Sequence, residues 1–296
     1  MPDYGHDLLF GAVLMPTSAR PGEALHLARL ADRTGLDLVS VPDHPYRPEL
    51  LDAWTALAVY AAATTRVRVL PNVANLPLRP PAALARAAAS LDLLSGGRVE
   101  LGLGAGAYWD AIAAEGGPRR TPAEAVAATR EAIAAIRALW TGTGPVHLDG
   151  DHHPLHGAPP GPRPAHPVSL WLGAVGPRML RLAGAAADGW LPSVPHVPPP
   201  RLARGQLLID EAALEAGRKP DRVRRLYNLS PGWGGWPQGT PSDWPEQLAE
   251  LTVEVGTSAY LLPAGRPDLL QAFAPEVAPA TRELVTAARA HDVRED

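Results

Sequence analysis

The chain contains no cysteine and only one lysine, Lys219, among its 296 residues. Without cysteine it can form no disulfide framework, no thiolate zinc site and no cysteine nucleophile. Its net charge is −4, and its arginines are scattered among acidic residues rather than gathered in a basic stripe. The composition therefore argues against disulfide-rich, zinc-thiolate and nucleic-acid-binding classes.

The sequence also has no long uninterrupted apolar run. Charged residues and prolines interrupt every hydrophobic segment, so we expect no membrane span and no membrane partner. The first ten residues, MPDYGHDLLF, lack the basic region followed by an apolar run that marks a targeting signal. We therefore expect a cytoplasmic protein. The apolar fraction of 46% is enough for one sizeable hydrophobic core at this length.

Segments with strand and helix patterns alternate along the chain. Strands are predicted at 6–15, 36–41, 67–73, 98–103, 168–172, 189–191, 223–229 and 259–262, and the first helices at 21–34, 52–64, 81–94 and 121 to about 140. The last of these helices opens with the capping box Thr121-x-x-Glu124. Eight alternating units predict a closed (β/α)8 barrel that takes in residues 1–296 as a single domain, with an open doubly wound sheet as the alternative.

Two proline-rich regions, at about 145–167 and 231–245, interrupt the alternation. The first carries four closely spaced histidines, at His147, His152, His153 and His156. Its first part, VHLDGDHHPL, predicts a hairpin turning at Asp149–Gly150. The region lacks paired acidic ligands at helical spacing, so we expect no metal site. The second contains three tryptophans and is either a lid on the substrate site or a plug over the barrel rim.

The segment LDLLSGGRVELGLGAG at 91–106 combines a helix end, a Gly-Gly turn, a short alternating strand and a run of small residues. Gly102, Gly104 and Gly106 remove side chains where the strand ends, which is the working face of an α/β barrel. Two explanations remain open here: a flat ligand lies close to bare backbone, or the barrel packs tightly.

A second segment, at 170–191, has the pattern of an anion site. A strand ends at Leu172, small residues including Ala174 follow, and Pro177 occupies a typical first helical position. We expect free backbone N–H groups around Val175, Gly176, Arg178 and Met179, with Arg178 adding positive charge. An ordinary proline-capped turn is the alternative. Together, the two segments suggest a site for a flat ring and its phosphate tail.

These segments, with SVPDH at 40–44, closely resemble the bacterial luciferase-like family of flavin- and deazaflavin-dependent oxidoreductases. The resemblance runs from about residue 8 to 193 and resumes at 240–263. It implies a (β/α)8 barrel with inserts and a cofactor ring at the carboxyl ends of the strands, with the phosphate at the helix start after strand five. Residues 104–126 look more like the branch that uses coenzyme F420 than like the FMN monooxygenases. We therefore expect F420, with FMN as the alternative, and a homodimer, which is common in the family.

The resemblance also implies roles for residues at two strand ends. His44 would lie beside the ring and exchange a proton with the substrate near neutral pH, and Asp43 would hold a polar edge of the ring. The other interpretation of His44 is a loop histidine that satisfies backbone groups. A non-prolyl cis peptide that supports the ring is expected between Asn72 and Val73, with Leu70–Pro71 as a rival position.

The chain departs from the sugar-phosphate dehydrogenases of the family just after strand four. They carry an acidic residue where this chain has Ala107, and the lysines that would grip a sugar phosphate are absent. We therefore expect a small, non-phosphorylated and more apolar substrate, with Tyr108 and Trp109 as walls of its pocket. The alternative for each aromatic residue is core or rim packing. The leading hypothesis is an F420-dependent oxidoreductase; an FMN monooxygenase and a non-catalytic flavin-binding barrel are the alternatives.

Overall fold

The computed structural model describes residues 3–232, 234–265 and 267–295. Its strands are β1 (Leu9–Val13), β2 (Leu38–Val41), β3 (Arg68–Pro71), β4 (Ala74–Asn75), β5 (Leu101–Gly104), β6 (Val146–Leu148), β7 (Leu155–Ala158), β8 (Leu170–Gly173), β9 (Gly189–Trp190), β10 (Arg224–Asn228) and β11 (Ala259–Pro263). Its α-helices are α1 (Pro21–Thr34), α2 (Ala53–Ala63), α3 (Pro81–Ser95), α4 (Trp109–Ala114), α5 (Pro122–Thr141), α6 (Pro177–Ala186), α7 (Pro199–Glu215), α8 (Trp244–Val255), α9 (Pro267–Ala272) and α10 (Ala278–Glu295).

Nine of the strands form one parallel sheet in the order β3-β2-β1-β11-β10-β9-β8-β5-β4. A parallel bridge between Val69 of β3 and Val99, just before β5, closes the sheet, with the N–H of Val69 donating to the carbonyl of Arg98 at 2.8 Å. The short strands β3 and β4 together occupy one position in the ring, so the ring has eight positions. The predicted (β/α)8 barrel is confirmed.

The helix predictions agree with the structure more closely than the strand predictions do. Helix α1 has the predicted bounds, and α5 begins at the predicted capping box, in which Thr121 and Glu124 satisfy each other's backbone N–H groups. The first strand starts at Leu9 rather than at His6. The imidazole of His6 instead bonds to the carbonyl of Asp221 at 2.6 Å, so this residue belongs to the connection entering the barrel.

Apolar side chains fill the inside of the barrel below its carboxyl end. A separate buried cluster contains Leu9, Leu38, Leu70, Trp171, Leu191, Leu226, Ala259 and Leu261, with Val13 and Val73 packed against it. Residues at alternate positions, such as Phe10 and Ala12, belong to the larger cluster shared with the helices. The filled interior leaves room for a ligand at the ends of the strands.

The two inserted regions are packed onto the barrel. In the first, β6 and β7 form the predicted hairpin, and the Glu131 carboxylate accepts hydrogen bonds from the backbone N–H groups of Asp151, His152 and His153. In the second, the Trp236 ring lies 5.7 Å from that of Tyr227, while Trp244 is buried. These contacts favour the plug. The third tryptophan, Trp233, lies outside the described residues.

No helix in the described ranges is long and apolar enough to cross a membrane. Within the same ranges, no group of three or more histidine, aspartate or glutamate side chains is placed to hold a metal ion.

Candidate active site

A cavity of about 480 Å³ opens at the carboxyl ends of the barrel strands. It brings together most of the predicted site: Asp43, His44, Asn72, Val73, Gly104, Gly106, Tyr108, Ala174 and Val175. Its other lining residues are Tyr46, Ala74, Asn75, Ala105, Ala107, Gly173, Leu191, Pro192, Ser193, His196 and Asn228. The cavity therefore joins the loops after β2, β3, β5, β8 and β9 with the end of β10.

His44 follows β2 and belongs to a cluster of three aromatic side chains. Its Nδ1 shares a hydrogen bond with the phenol of Tyr46 at 2.8 Å, and the Tyr108 ring meets its edge at 5.9 Å. Burial, together with the charge of Arg47, lowers the pKa of His44 below its ordinary value of 6.5, although Asp43 acts in the opposite direction. The imidazole is therefore mainly neutral at pH 7. Burial raises the pKa of Tyr46 to about 12, so its phenol keeps its proton.

Asp43 precedes His44 and is almost fully buried, with 1% of its side chain exposed. Arg79 donates to both carboxylate oxygens, at 2.6 and 2.7 Å, and the N–H of Asn75 donates to Oδ2 at 2.9 Å. Arg79 also reaches Asp52, the N-cap of α2. Three donors thus bind the carboxylate, and these bonds anchor the segment after β4. The carboxylate therefore has little capacity left to accept a hydrogen bond from the edge of a ring, which was the role expected of Asp43.

The peptide bond between Asn72 and Val73 is cis, as predicted, and the bond at Leu70–Pro71 is not among the cis bonds of the described chain. The Asn72 amide pairs with that of Asn228 across the barrel mouth, with Nδ2 to Oδ1 distances of 2.7 and 3.2 Å. Ser40 and Ser193 complete this network through bonds of 3.2 Å. The network holds the segment between β3 and β4 against the end of β10.

The glycines of β5 are required by protein packing. A Cβ on Gly102 would lie 2.2 Å from the carbonyl oxygen of Pro71, and one on Gly104 would lie 2.5 Å from Cγ2 of Val73. Gly106 has a φ of +99° and faces Pro77 and Trp109. Tight packing therefore accounts for these glycines, and the side chain of Val73 covers the backbone that a flat ligand was expected to meet.

The helix start at α6 supplies free donors. The backbone N–H groups of Val175, Gly176 and Arg178 have no acceptor within the described chain, and a Cβ on Gly176 would meet nothing within 4 Å. The N–H of Met179, which was expected to be free, donates to the carbonyl of Gly176 at 3.0 Å. Three donors and open space thus suit a phosphate group at this place.

Four predicted residues do not line the cavity. Gly176, Arg178 and Met179 lie beyond its edge at Val175, while Trp109 begins α4 and packs against Gly106. Tyr108 does line the cavity and is 58% exposed. The expectation of an aromatic wall therefore applies to Tyr108 and not to Trp109.

Sequence reasoning missed five polar side chains of the cavity: Tyr46, Asn75, Ser193, His196 and Asn228. Ser193 follows one predicted strand and Asn228 lies at the end of another, so the sequence could have placed both at the carboxyl end of the barrel. Asn75 Oδ1 is buried without a hydrogen-bond partner in the described chain. A buried acceptor of this kind needs a donor, which a bound ring with an N–H group would supply.

The sequence profile of the luciferase-like monooxygenase family matches residues 7–234 of this chain. The chain belongs to the luciferase-like monooxygenase family.

Several curated relatives are named as F420-dependent enzymes. An F420-dependent glucose-6-phosphate dehydrogenase from Nocardia farcinica is 32% identical over 231 residues, which cover 75% of this chain and 68% of that protein. A second one, from Amycolatopsis mediterranei, is 38% identical over 177 residues, covering 58% and 53%. A 5,10-methylenetetrahydromethanopterin reductase from Methanolobus tindarius is 36% identical over 200 residues, covering 67% and 57%. The matched segments thus span little more than half of the latter two relatives.

The fold is shared with solved structures of low sequence identity. An F420-dependent secondary alcohol dehydrogenase, in complex with an F420–acetone adduct, superposes with a TM-score of 0.83 at 21% identity. The superposition covers 93% of this chain and 99% of that one. This similarity supports the barrel architecture.

Proposed function

We propose that this protein is an F420-dependent oxidoreductase that transfers a hydride between the deazaflavin and a small organic substrate. The observation that carries the proposal is one cavity that contains a neutral, half-buried histidine and extends to the free N–H groups at the start of α6. Relatives at 32–38% identity are named as F420-dependent enzymes, which supports the choice of cofactor.

The residues present fit such a cofactor at three places. The N–H groups of Val175, Gly176 and Arg178 would hold its phosphate. The Val73 side chain offers an apolar surface for the ring, and the buried Oδ1 of Asn75 would accept from a ring N–H. When bound, F420 supplies the ring carbon that gives or takes the hydride.

His44 would move the proton that accompanies the hydride. A neutral imidazole carries its proton on one nitrogen, and the bond to Tyr46 links the choice of nitrogen to the orientation of the phenol. When Tyr46 donates to Nδ1, Nε2–H donates a hydrogen bond to a carbonyl oxygen, and the proton transferred in this direction is given by the imidazolium, which leaves a neutral imidazole. When Nδ1–H donates to the phenol oxygen, Nε2 is free to accept a proton from a hydroxyl. Burial keeps the imidazole neutral in both arrangements.

We propose that the substrate is uncharged and not phosphorylated. No lysine or arginine is among the described residues that line the cavity, and the one lining carboxylate, Asp43, is already paired with Arg79. An anion placed in such a cavity would lose its hydration without gaining a cationic partner. Ser193, His196 and Asn228 offer hydrogen bonds to neutral hydroxyl or carbonyl groups.

Titration of the purified protein with F420 and with FMN, followed by fluorescence, tests the choice of cofactor. We expect saturable binding of F420 and weak or no binding of FMN. The reverse result, with oxygen consumption in the presence of reduced FMN, would replace the proposal with a flavin monooxygenase. Reduction or oxidation of bound F420 by a panel of alcohols, ketones and glucose 6-phosphate then tests the substrate class. Binding of F420 without any turnover would favour a non-catalytic barrel.

A further inference from the structure

A second pocket of about 250 Å³ lies between the beginnings of α6 and α7. Val175 lines both this pocket and the main cavity, so the two are neighbours across one residue. The second pocket is lined by the apolar residues Pro177, Leu180 and Trp190 and by the arginines Arg201 and Arg204. It therefore begins where the proposed phosphate site ends and extends away from the ring.

Positive charge at this pocket is not neutralised by the protein. Arg201 and Arg204 are exposed and lie one turn apart on α7, and neither has a carboxylate within ion-pair distance in the described chain. Arg178, in the first turn of α6, also lacks an ion pair among the described residues. Arg181, one turn further along α6, is by contrast paired with Glu211 and Glu215. The unpaired guanidinium groups are thus confined to the pocket end of the two helices.

These arginines are poorly explained by helix stability. Positive side chains near a helix N-terminus are disfavoured because the first turn already carries partial positive charge. Neither α6 nor α7 has an acidic residue in its first turn to compensate. Two helix starts and the guanidinium groups of Arg201 and Arg204 therefore lie at one small pocket, and no carboxylate of the described residues pairs with these groups.

We propose that this pocket, formed by Val175, Pro177, Leu180, Arg201 and Arg204, binds the acidic end of the F420 side chain. That end carries the carboxylates of glutamate residues joined beyond the phosphate. The inference rests on the proposed function, because it takes F420 as the cofactor. With the phosphate held by the N–H groups of Val175, Gly176 and Arg178, Arg201 and Arg204 would hold the carboxylates that follow it.

We expect the two arginines to make a moderate, salt-sensitive contribution to the affinity for F420. The two arginines are exposed, so each ion pair with a carboxylate is weakened by solvent and by screening. We expect F420 with several glutamates to bind roughly five- to tenfold more tightly than the form without glutamate at low ionic strength. The difference should shrink when salt is added.

Fluorescence titration with these two forms of F420 provides a test that does not depend on turnover. In the double variant Arg201→Ala/Arg204→Ala, we expect the advantage of the glutamate-bearing form to disappear, while affinity for the form without glutamate stays within about twofold. The variant Arg181→Ala is the matched control, because it removes a nearby arginine that the protein already neutralises. It should retain the wild-type dependence on tail length.

The outcomes separate this inference from the proposed function. Equal binding of the two forms by the wild-type protein would overturn the tail pocket and leave F420 as the cofactor. Failure of both forms to bind would overturn the proposed function and the tail pocket with it. Equal loss of affinity for both forms in the double variant, with an unchanged thermal unfolding midpoint, would assign the arginines to another part of the cofactor and also overturn the inference.

Discussion

The Nδ1 atom of His44 and the phenol oxygen of Tyr46 lie 2.8 Å apart, and the two residues are separated in the chain only by Pro45. This bond orients the imidazole in the cavity and leaves Nε2 as the nitrogen available to a ligand. Tyr46 is therefore a positioning residue for the proton-transfer group.

Replacing Tyr46 with phenylalanine should keep the ring contacts and remove the hydrogen bond. We expect kcat to fall about tenfold, the value of one ordinary hydrogen bond, with little change in the Kd of F420. Tyr108→Phe is the matched control, because Tyr108 also contacts the His44 ring but makes no hydrogen bond through its hydroxyl in the described chain. A similar loss in both variants would show that the effect is not specific to the bond to Nδ1, and unchanged turnover in Tyr46→Phe would show that ring packing alone supports His44.

Replacing His44 with asparagine should remove the proton-transfer group while keeping a polar side chain in the cavity. We expect kcat to fall by about 10²- to 10⁴-fold, the usual contribution of acid–base catalysis, and the Kd of F420 to change by less than about threefold. Steady-state kinetics and fluorescence titration measure the two quantities. Unchanged turnover would eliminate His44 as the acid or base.

The decrease of kcat/KM at acidic pH should reflect the protonation of His44. When His44 acts as a base, its neutral form is the active one, so kcat/KM falls as the pH drops through its pKa. Because burial and Arg47 lower that pKa, the midpoint should lie below 6.5. This decrease should be absent in His44→Asn. A midpoint above 6.5 in the wild-type enzyme would contradict the assignment.

Replacing Gly102 with alanine should disturb the segment that supports the site. The new Cβ would lie 2.2 Å from the Pro71 carbonyl oxygen, and this backbone atom cannot rotate away. We expect a loss of about 1–3 kcal/mol in the free energy of unfolding, together with weaker F420 binding. Gly22→Ala is the control, since a Cβ there meets nothing within 4 Å and α1 favours alanine over glycine. Denaturant titration that shows equal stability for the two variants would refute the packing argument.

Replacing Asp43 with alanine should destabilise the cavity wall by leaving Arg79 without its buried partner. We expect a loss of about 3 kcal/mol or more in the free energy of unfolding, since Asp43 is almost fully buried. Glu49→Ala removes the exposed pair with Arg47, which solvent screens, and should leave the stability nearly unchanged. Normal stability together with lost cofactor binding would instead indicate that Asp43 contacts the ring.

The barrel was predictable because its pattern is local. Alternating apolar residues and helix-starting signals such as Thr121 and Glu124 lie within single segments, so they mark each element without knowledge of its neighbours. The place of the cis bond, between Asn72 and Val73, followed from resemblance to a family.

The reasons for individual site residues were less accessible from the sequence. The glycines of β5 looked like ligand contacts until the neighbouring strand brought Pro71 and Val73 against them. Asp43 looked available to a ring until Arg79, which lies 36 positions later, engaged its carboxylate. These outcomes depend on contacts between segments that are distant in the chain, and such contacts leave no local pattern.

The side chain of Val73 lies within 3.2 Å of where a Cβ would stand on Gly102 or Gly173, and closer still to that position on Gly104. The side-chain volumes at residue 73 and at these glycines of the neighbouring strands β5 and β8 are therefore limited together. A smaller residue at 73 would permit alanine at 104 or 173, whereas a larger residue at 73 would leave no room for either. We expect substitutions at these sites to be tolerated in compensating pairs, so the floor of the cavity would evolve as a unit.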